Sequence, residues 1–213
     1  MTQENVFFVT GIGTGVGKTI VSAILVEALK ADYWKPIQAG RDPDTDAATV
    51  KKLISNKNSV IHPSVYELET PASPHQAARI EKVDIALEKI VAQVPQISRT
   101  LIVEGAGGIQ VPINEDIFIT DLIAVLHAKV ILVSRNYLGS LNHSLLTADF
   151  CKNRQISVAG WVFVGYDSTY ENDLVRWTGY PKLASVPDVD DPGNLFVKAL
   201  ADSLSESIKE TLC

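Results

Sequence analysis

One stretch constrains this chain more than any other: Gly11-Ile12-Gly13-Thr14-Gly15-Val16-Gly17-Lys18-Thr19, which follows the apolar run Val6 to Thr10 and opens the helix-like segment from Ile20. Alternate glycines let the backbone curl so that successive N–H groups point inward, where the positive end of the following helix adds to their pull on an anion. A strand, such a loop and a helix make a cradle for a nucleoside triphosphate, formed by Gly15, Val16, Gly17, Lys18, Thr19 and Ile20. Lys18 reaches the terminal phosphates, and the Thr19 hydroxyl ligates the Mg²⁺ that bridges them. Five residues lie between Gly11 and Gly17, one more than the usual phosphate loop has at that place.

Further apolar runs recur along the chain at Tyr33 to Ile37, Val65 to Leu68, Leu101 to Glu104, Val130 to Ser134, Val158 to Val164 and Leu183 to Val186. Several are nearly continuous in Val, Ile, Leu and Phe, without the polar alternation of a half-exposed strand, which suits strands covered on both faces. Helix-like stretches alternate with them: Gly17 to Lys30, Asp44 to Ser55, Asp84 to Val94, Thr120 to His127, Gly139 to Asn153, Tyr170 to Thr178 and Asn194 to Leu212. Asp84 and Thr120 read as N-caps, and Pro95 as the stop of the helix before it. Asn56 to Pro74 reads as a long connection with one short strand. The expected fold is α/β, a P-loop NTPase-like three-layer α/β/α arrangement around a mostly parallel sheet, with residues 1–213 forming a single domain. Ligands of such a sheet bind at the carboxyl ends of the strands.

The formal charge of −6 gives no general attraction for nucleic acid, so phosphates must be held by a few placed groups. Cys151 and Cys213 fit neither a disulfide framework nor a zinc spacing and read as reduced thiols. With no apolar run of about 20 residues and no basic leader at Met-Thr-Gln-Glu-Asn, the expectation is a soluble, cytoplasmic protein without membrane or nucleic-acid partners. An Asn-Lys-x-Asp guanine-reading segment is missing, since Asn56-Lys57-Asn58-Ser59 fails at its last position; this favours ATP.

Three charged residues fall near strand ends. Lys35 lies in the apolar stretch Tyr33-Trp34-Lys35-Pro36-Ile37-Gln38-Ala39-Gly40, where an ammonium either meets an anion or snorkels at a sheet edge. Among the acids at 42, 44 and 46, Asp44 fits a helix cap and Asp46 the first turn, so Asp46 is either a second capping acid or a metal-facing one. Glu104 ends the buried run Leu101-Ile102-Val103 and precedes Gly105-Ala106-Gly107-Gly108. P-loop enzymes place the acid that holds Mg²⁺ at such a strand end; pairing to a neighbouring helix is the plainer alternative.

Taken together, the phosphate loop, Lys35-Pro36-Ile37-Gln38-Ala39-Gly40, Ser73-Pro74-His75, Val103-Glu104-Gly105-Ala106-Gly107-Gly108 and Leu138-Gly139-Ser140-Leu141-Asn142-His143 strongly resemble the dethiobiotin synthetase family, in the family's order and over most of the chain to about Gly160. The longer phosphate loop is part of that resemblance. It implies ATP- and Mg²⁺-dependent closure of the ureido ring of dethiobiotin from 7,8-diaminononanoate (7,8-diaminopelargonate) and CO₂. One amine takes up CO₂ as a carbamate, ATP phosphorylates it, and the other amine attacks the mixed anhydride. Carbamate and γ-phosphate are both anionic, so the pair needs cations on both sides and a metal across the phosphates.

By the same resemblance Lys18 and Lys35 supply the cations; Thr19, Asp46 and Glu104 hold the metal; and Thr14 approaches the carbamate or phosphate. Gly105, Ala106 and Gly107 join the nucleotide contacts. The family's homodimer places Gly139, Ser140 and Asn142 on the substrate tail of the neighbouring subunit, and His143 reads as a structural hydrogen-bonding residue.

Two positions depart from the family. Ala39 stands where a serine is common, leaving Gln38 or backbone groups for the substrate. Val164 stands in Gly160-Trp161-Val162-Phe163-Val164-Gly165 where an asparagine usually meets adenine. That leaves backbone atoms of Val164, Gly165, Val186, Pro187 and Asp188 for the base, or a relaxed base preference. The rival reading, a partition-type ATPase switch that binds a protein partner, usually carries a lysine early in the loop, where this chain has Gly13. A related amidating enzyme acting on a cobalamin precursor would need a glutaminase domain for which this sequence has no room.

Overall fold

A computed structural model describes residues 5–41 and 44–212. The chain runs β1 (Val6–Gly11), α1 (Lys18–Leu29), β2 (Asp32–Trp34), β3 (Ile37–Ala39), α2 (Asp46–Leu53), β4 (Ile61–His62), β5 (Tyr66–Leu68), α3 (Pro74–Glu81) and α4 (Leu87–Ala92). It continues through β6 (Leu101–Gly108), α5 (Ile119–Val125), β7 (Lys129–Arg135), α6 (Ser140–Asn153), β8 (Val158–Val164), α7 (Ser168–Thr178), β9 (Lys182–Val186) and α8 (Asn194–Leu212). Among the described residues the main sheet has the order β4-β2-β6-β1-β7-β8-β9, with its neighbouring strands parallel.

The alternation within β1 shows why three layers form. Val6 and Phe8 point into a core shared with Ala77, Ile90, Leu122, Ala148 and Leu174, from α3 to α7. Phe7 and Val9 point the other way, against Val21, Leu25, Val50 and Val197 of α1, α2 and α8. Burial on both faces explains the continuous apolar runs, and the three-layer, mostly parallel fold read from the sequence is the fold observed.

Several local readings need correction. Tyr33 to Ile37 is not one strand: β2 stops at Trp34, and β3 pairs instead with β5 in a separate two-stranded sheet. Pro36 has no N–H to continue a ladder; its carbonyl receives the N–H groups of Val65 and Tyr66. Asp44 does not cap α2, because Thr45 does, its Oγ1 accepting from Ala48 N–H at 3.1 Å. Asp84 does not cap α4, which begins after Ala86, and Thr120 lies inside α5, whose start is secured by Phe118 N–H donating to Asp121 Oδ2 at 2.8 Å. The region 56–74 holds two strands, and α3, which lacks a conspicuous apolar run, was missed. Cys151 is buried, which pushes its thiol up to about 12 and suits a reduced core residue. Cys213, Asp42, Pro43 and the first four residues lie outside the described residues.

Candidate active site

The phosphate loop owes its shape to close backbone packing. A Cβ on Gly11 would stand 2.5 Å from Val16 Cγ2 and 2.8 Å from the Gly13 carbonyl. Gly17, the N-cap of α1, has φ 93°, a left-handed conformation natural to glycine, and Val164 packs against it from β8. Lys18 curls back over the loop, its Nζ donating to the Gly13 carbonyl at 3.0 Å. Burial lowers the Lys18 pKa to about 8; Glu104 and Asp46 oppose that effect and the nearby Lys35 adds to it.

Beside the loop, three segments deliver four side chains to one cluster. Lys35, just past β2, places Nζ 2.7 Å from Asp46 Oδ2 and 3.2 Å from Glu104 Oε1, and also donates to the Gly105 carbonyl at 3.3 Å. Lys35 therefore meets anions and does not snorkel. Burial alone would lower its pKa, but Glu104 and Asp46 outweigh that and hold it above the ordinary lysine value. For Asp46, burial pushes upward while Lys35 and Thr19 hold the carboxyl below the usual range. The second Glu104 oxygen accepts from the Tyr33 hydroxyl at 3.0 Å. Tyr33 keeps its proton, since burial and then Glu104 raise its pKa well above normal.

Thr19 Oγ1 lies 2.7 Å from Asp46 Oδ1 and 3.0 Å from Glu104 Oε1. A hydroxyl has one proton, so it can donate to only one of these oxygens at a time. Thr19 Oγ1, Asp46 Oδ1 and Glu104 Oε1 thus converge as three hard oxygens, a donor set suited to a small divalent cation. Among the described residues no group of three His, Cys, Asp or Glu side chains is placed to hold a metal. A cation here would complete its shell with phosphate and water oxygens, as Mg²⁺ does.

A cavity of about 700 Å³ runs along the carboxyl ends of the strands. Thr14, Gly15, Gly17, Lys18, Thr19 and Ile20 line its middle; Lys35, Ala39, Asp46, Glu104, Ala106 and Gly107 line one side; Val164, Val186, Pro187 and Asp188 line the other. Both lysines face this one space. Val16 is instead buried beneath the loop, and Gly105 packs on Phe8, contributing its carbonyl to Lys35. Gly165 donates its N–H to the Val186 carbonyl at 2.8 Å and does not line the cavity.

Gln38 is also absent from the lining. Its Nε2 donates to the Gly40 carbonyl at 2.8 Å and its Oε1 accepts from Asp46 N–H at 3.1 Å, so it fixes the start of α2. Gly139, Ser140 and Asn142 lie at the start of α6, outside the cavity of their own chain. Ser140 is buried and accepts from Tyr137 N–H at 3.1 Å, while Gly139 and Asn142 are exposed. Residues not singled out from the sequence also line the cavity, among them Val111, Arg135, Pro192 and Phe196. Arg135 had a usable signal, since it ends a buried strand; Pro192 and Phe196 had none, because only the packing of α8 brings them in.

Residues 5–194 match a family described as AAA domain. The ATP-dependent dethiobiotin synthetase BioD of Christiangramia forsetii is 43% identical over 207 residues, covering 97% of this chain and 97% of that protein. The protein of the same name from Cytophaga hutchinsonii is 49% identical over 182 residues, covering 84% and 87%. Among solved structures, the Pyrococcus furiosus cell division ATPase MinD superposes with TM-score 0.58 at 17% identity over 98% of this chain and 99% of that one. A ParA family ATPase from Chlorobium tepidum gives 0.56 at 13% identity over 99% and 98%. At such low identities these two support the fold alone.

Proposed function

This chain belongs to the ATP-dependent dethiobiotin synthetases, and from that premise we propose that it converts 7,8-diaminononanoate, CO₂ and ATP to dethiobiotin, ADP and phosphate, a step of biotin biosynthesis. The observation that carries this reading is the meeting of Lys18 and Lys35 on one cavity with Thr19, Asp46 and Glu104 beside them.

Two anions must react there: a carbamate oxygen attacks the γ-phosphorus, and the bond to the β-phosphate oxygen breaks. Lys18, on the loop, neutralises charge on the phosphates. Lys35, held by two carboxylates, gives a fixed positive charge on the acceptor side and costs no reorganisation as charge develops. Thr14 adds a hydroxyl from the loop. Thr19, Asp46 and Glu104 would hold Mg²⁺, which supplies charge neutralisation across the phosphate oxygens. Attack of the second amine on the mixed anhydride closes the ring and releases phosphate, with no covalent bond to the enzyme; positioning does the work.

The start of α6 belongs to this reading through a homodimer. Gly139, Ser140 and Asn142 do not line the cavity of their own chain, and Leu138, Leu141 and Leu146 leave apolar side chains exposed on the same segment, as a subunit interface would require. The N–H groups at that helix start would meet the substrate carboxylate of the partner subunit. A switch-type ATPase is less well supported, since Gly13 occupies the place of its early loop lysine and receives Lys18 instead.

The test is phosphate release with purified protein, Mg²⁺, ATP and bicarbonate, with and without the diamine, alongside detection of dethiobiotin. Diamine-dependent release with product is expected; equal ATP consumption in both arms would defeat the proposal.

A further inference from the structure

The nucleotide cavity has two unlike ends. β1 delivers the phosphate loop at its middle, and β6 lies on one side of β1 while β7, β8 and β9 lie on the other. The β6 side carries Lys35, Asp46 and Glu104, so charge occupies the acceptor end. The β8–β9 side is walled by Val164, Val186, Pro187, Val189, Pro192 and Phe196, an apolar surface of the kind that suits a nucleobase.

The side chains of that wall offer little to read a base with: Val164, Val186, Val189 and Phe196 carry only hydrocarbon, and Pro187 and Pro192 lack even an N–H. The charged side chains lining this end are Arg135 and Asp188, and they pair with each other. Arg135 ends β7 in register with Val164 on β8, and Asp188 follows β9, so the pair spans the base end from strand to loop.

We infer that the Arg135–Asp188 ion pair sets the base selectivity of this cavity: by satisfying each other, the two side chains leave the base to be held by shape and stacking, and nucleotides of different bases bind comparably. An apolar pocket separates similar ligands by modest factors, whereas a site with unpaired polar groups separates them strongly. Removing one partner would therefore create selectivity. A freed guanidinium matches the N7 and O6 acceptors of guanine, and a freed carboxylate matches the amino groups of adenine, cytosine and guanine, which uracil lacks.

This rests on the cavity's holding a nucleotide, not on the ring-closing chemistry, so binding is measured without diamine. Calorimetric titration of the full chain with ADP, GDP, CDP and UDP, each with Mg²⁺, would be run on the wild type, Asp188→Ala, Arg135→Ala and Asp188→Glu. The expected wild-type dissociation constants lie within about tenfold of one another. Asp188→Ala is expected to shift the GDP-to-CDP ratio by about fivefold or more toward GDP, Arg135→Ala to weaken UDP by a similar factor relative to the three nucleotides whose bases carry an amino group, and Asp188→Glu to keep the wild-type order. Both residues are half exposed, so the alanine variants should fold, with circular dichroism as the check. A wild-type preference for ADP beyond about a hundredfold would overturn the inference. So would an order unchanged in both alanine variants, or the absence of nucleotide binding. Intact, unselective binding without dethiobiotin formation would instead count only against the proposed reaction.

Discussion

Lys35 Nζ lies 2.7 Å from Asp46 Oδ2, tying the residue after β2 to the first turn of α2 in the wall of the cavity. The same ammonium reaches Glu104, so one cation holds two carboxylates that would otherwise repel.

Lys35→Ala should leave Glu104 buried without its cation, which lowers stability by about 3–5 kcal/mol. Turnover should fall by about a hundredfold or more, because the acceptor side loses its fixed charge. Mg²⁺ with ADP should raise the melting temperature more in the variant than in the wild type, since a metal between Asp46 and Glu104 replaces the missing charge. Calorimetry and steady-state rates check both parts; unchanged turnover would remove Lys35 from the chemistry.

Gly17→Ala tests the loop. At φ 93° a Cβ is strained by about 1–2 kcal/mol, and it would stand 3.0 Å from Val164 Cγ2, so β8 or the loop must give way. The expected result is at least about a tenfold loss of ADP affinity with a smaller loss of stability. An affinity equal to that of the wild type would mean that the loop is not held tightly by this contact.

Asn142→Ala should raise KM for the diamine by about tenfold, the usual size of one lost polar contact. KM for ATP should stay within about twofold, because Asn142 lies outside the cavity of its own chain. The reverse pattern would contradict the tail assignment.

Glu27 gives a pH dependence far from the cavity. This buried carboxylate accepts from the N–H and hydroxyl of Ser55 and from the backbone and side-chain N–H groups of Asn56, fastening the segment after α2 to α1. Burial pushes its pKa up, but the Asn56 and Ser55 donors outweigh that and hold it at about 2. A folded-state pKa below the unfolded value means stability that is present above about pH 4.5 and lost as pH falls toward 2. Glu27→Gln should therefore cost about 1–3 kcal/mol at pH 7, with the gap to the wild type narrowing below about pH 4.5 and closing near pH 2 in urea titrations. A gap constant with pH would show that the charge is immaterial.

Much of the fold was legible because buried parallel strands declare themselves as continuous apolar runs; Val158–Val164 was read to the residue. The break at Pro36 was missed because apolar residues continue at Ile37 after Tyr33 and Trp34, and α3 because half of its eight residues are polar. At the cavity, Gly15 to Ile20 stood out by the glycine pattern of the loop itself, whereas Lys35 and Glu104 each stood singly with bland alternatives open, and Thr14 and Asp46 gained their expected roles only from the family resemblance. Gln38 was read toward substrate, yet its amide is consumed in fixing the start of α2.

What the sequence by itself determined is the phosphate loop and its helix, since their geometry depends on glycine dihedrals and hydrogen bonds a few residues apart. Tertiary structure alone decided that Lys35 meets Glu104 across 69 positions and that Arg135 meets Asp188 across 53. Those encounters follow from the order of strands in the sheet, which sets side by side segments whose local sequences carry no record of one another.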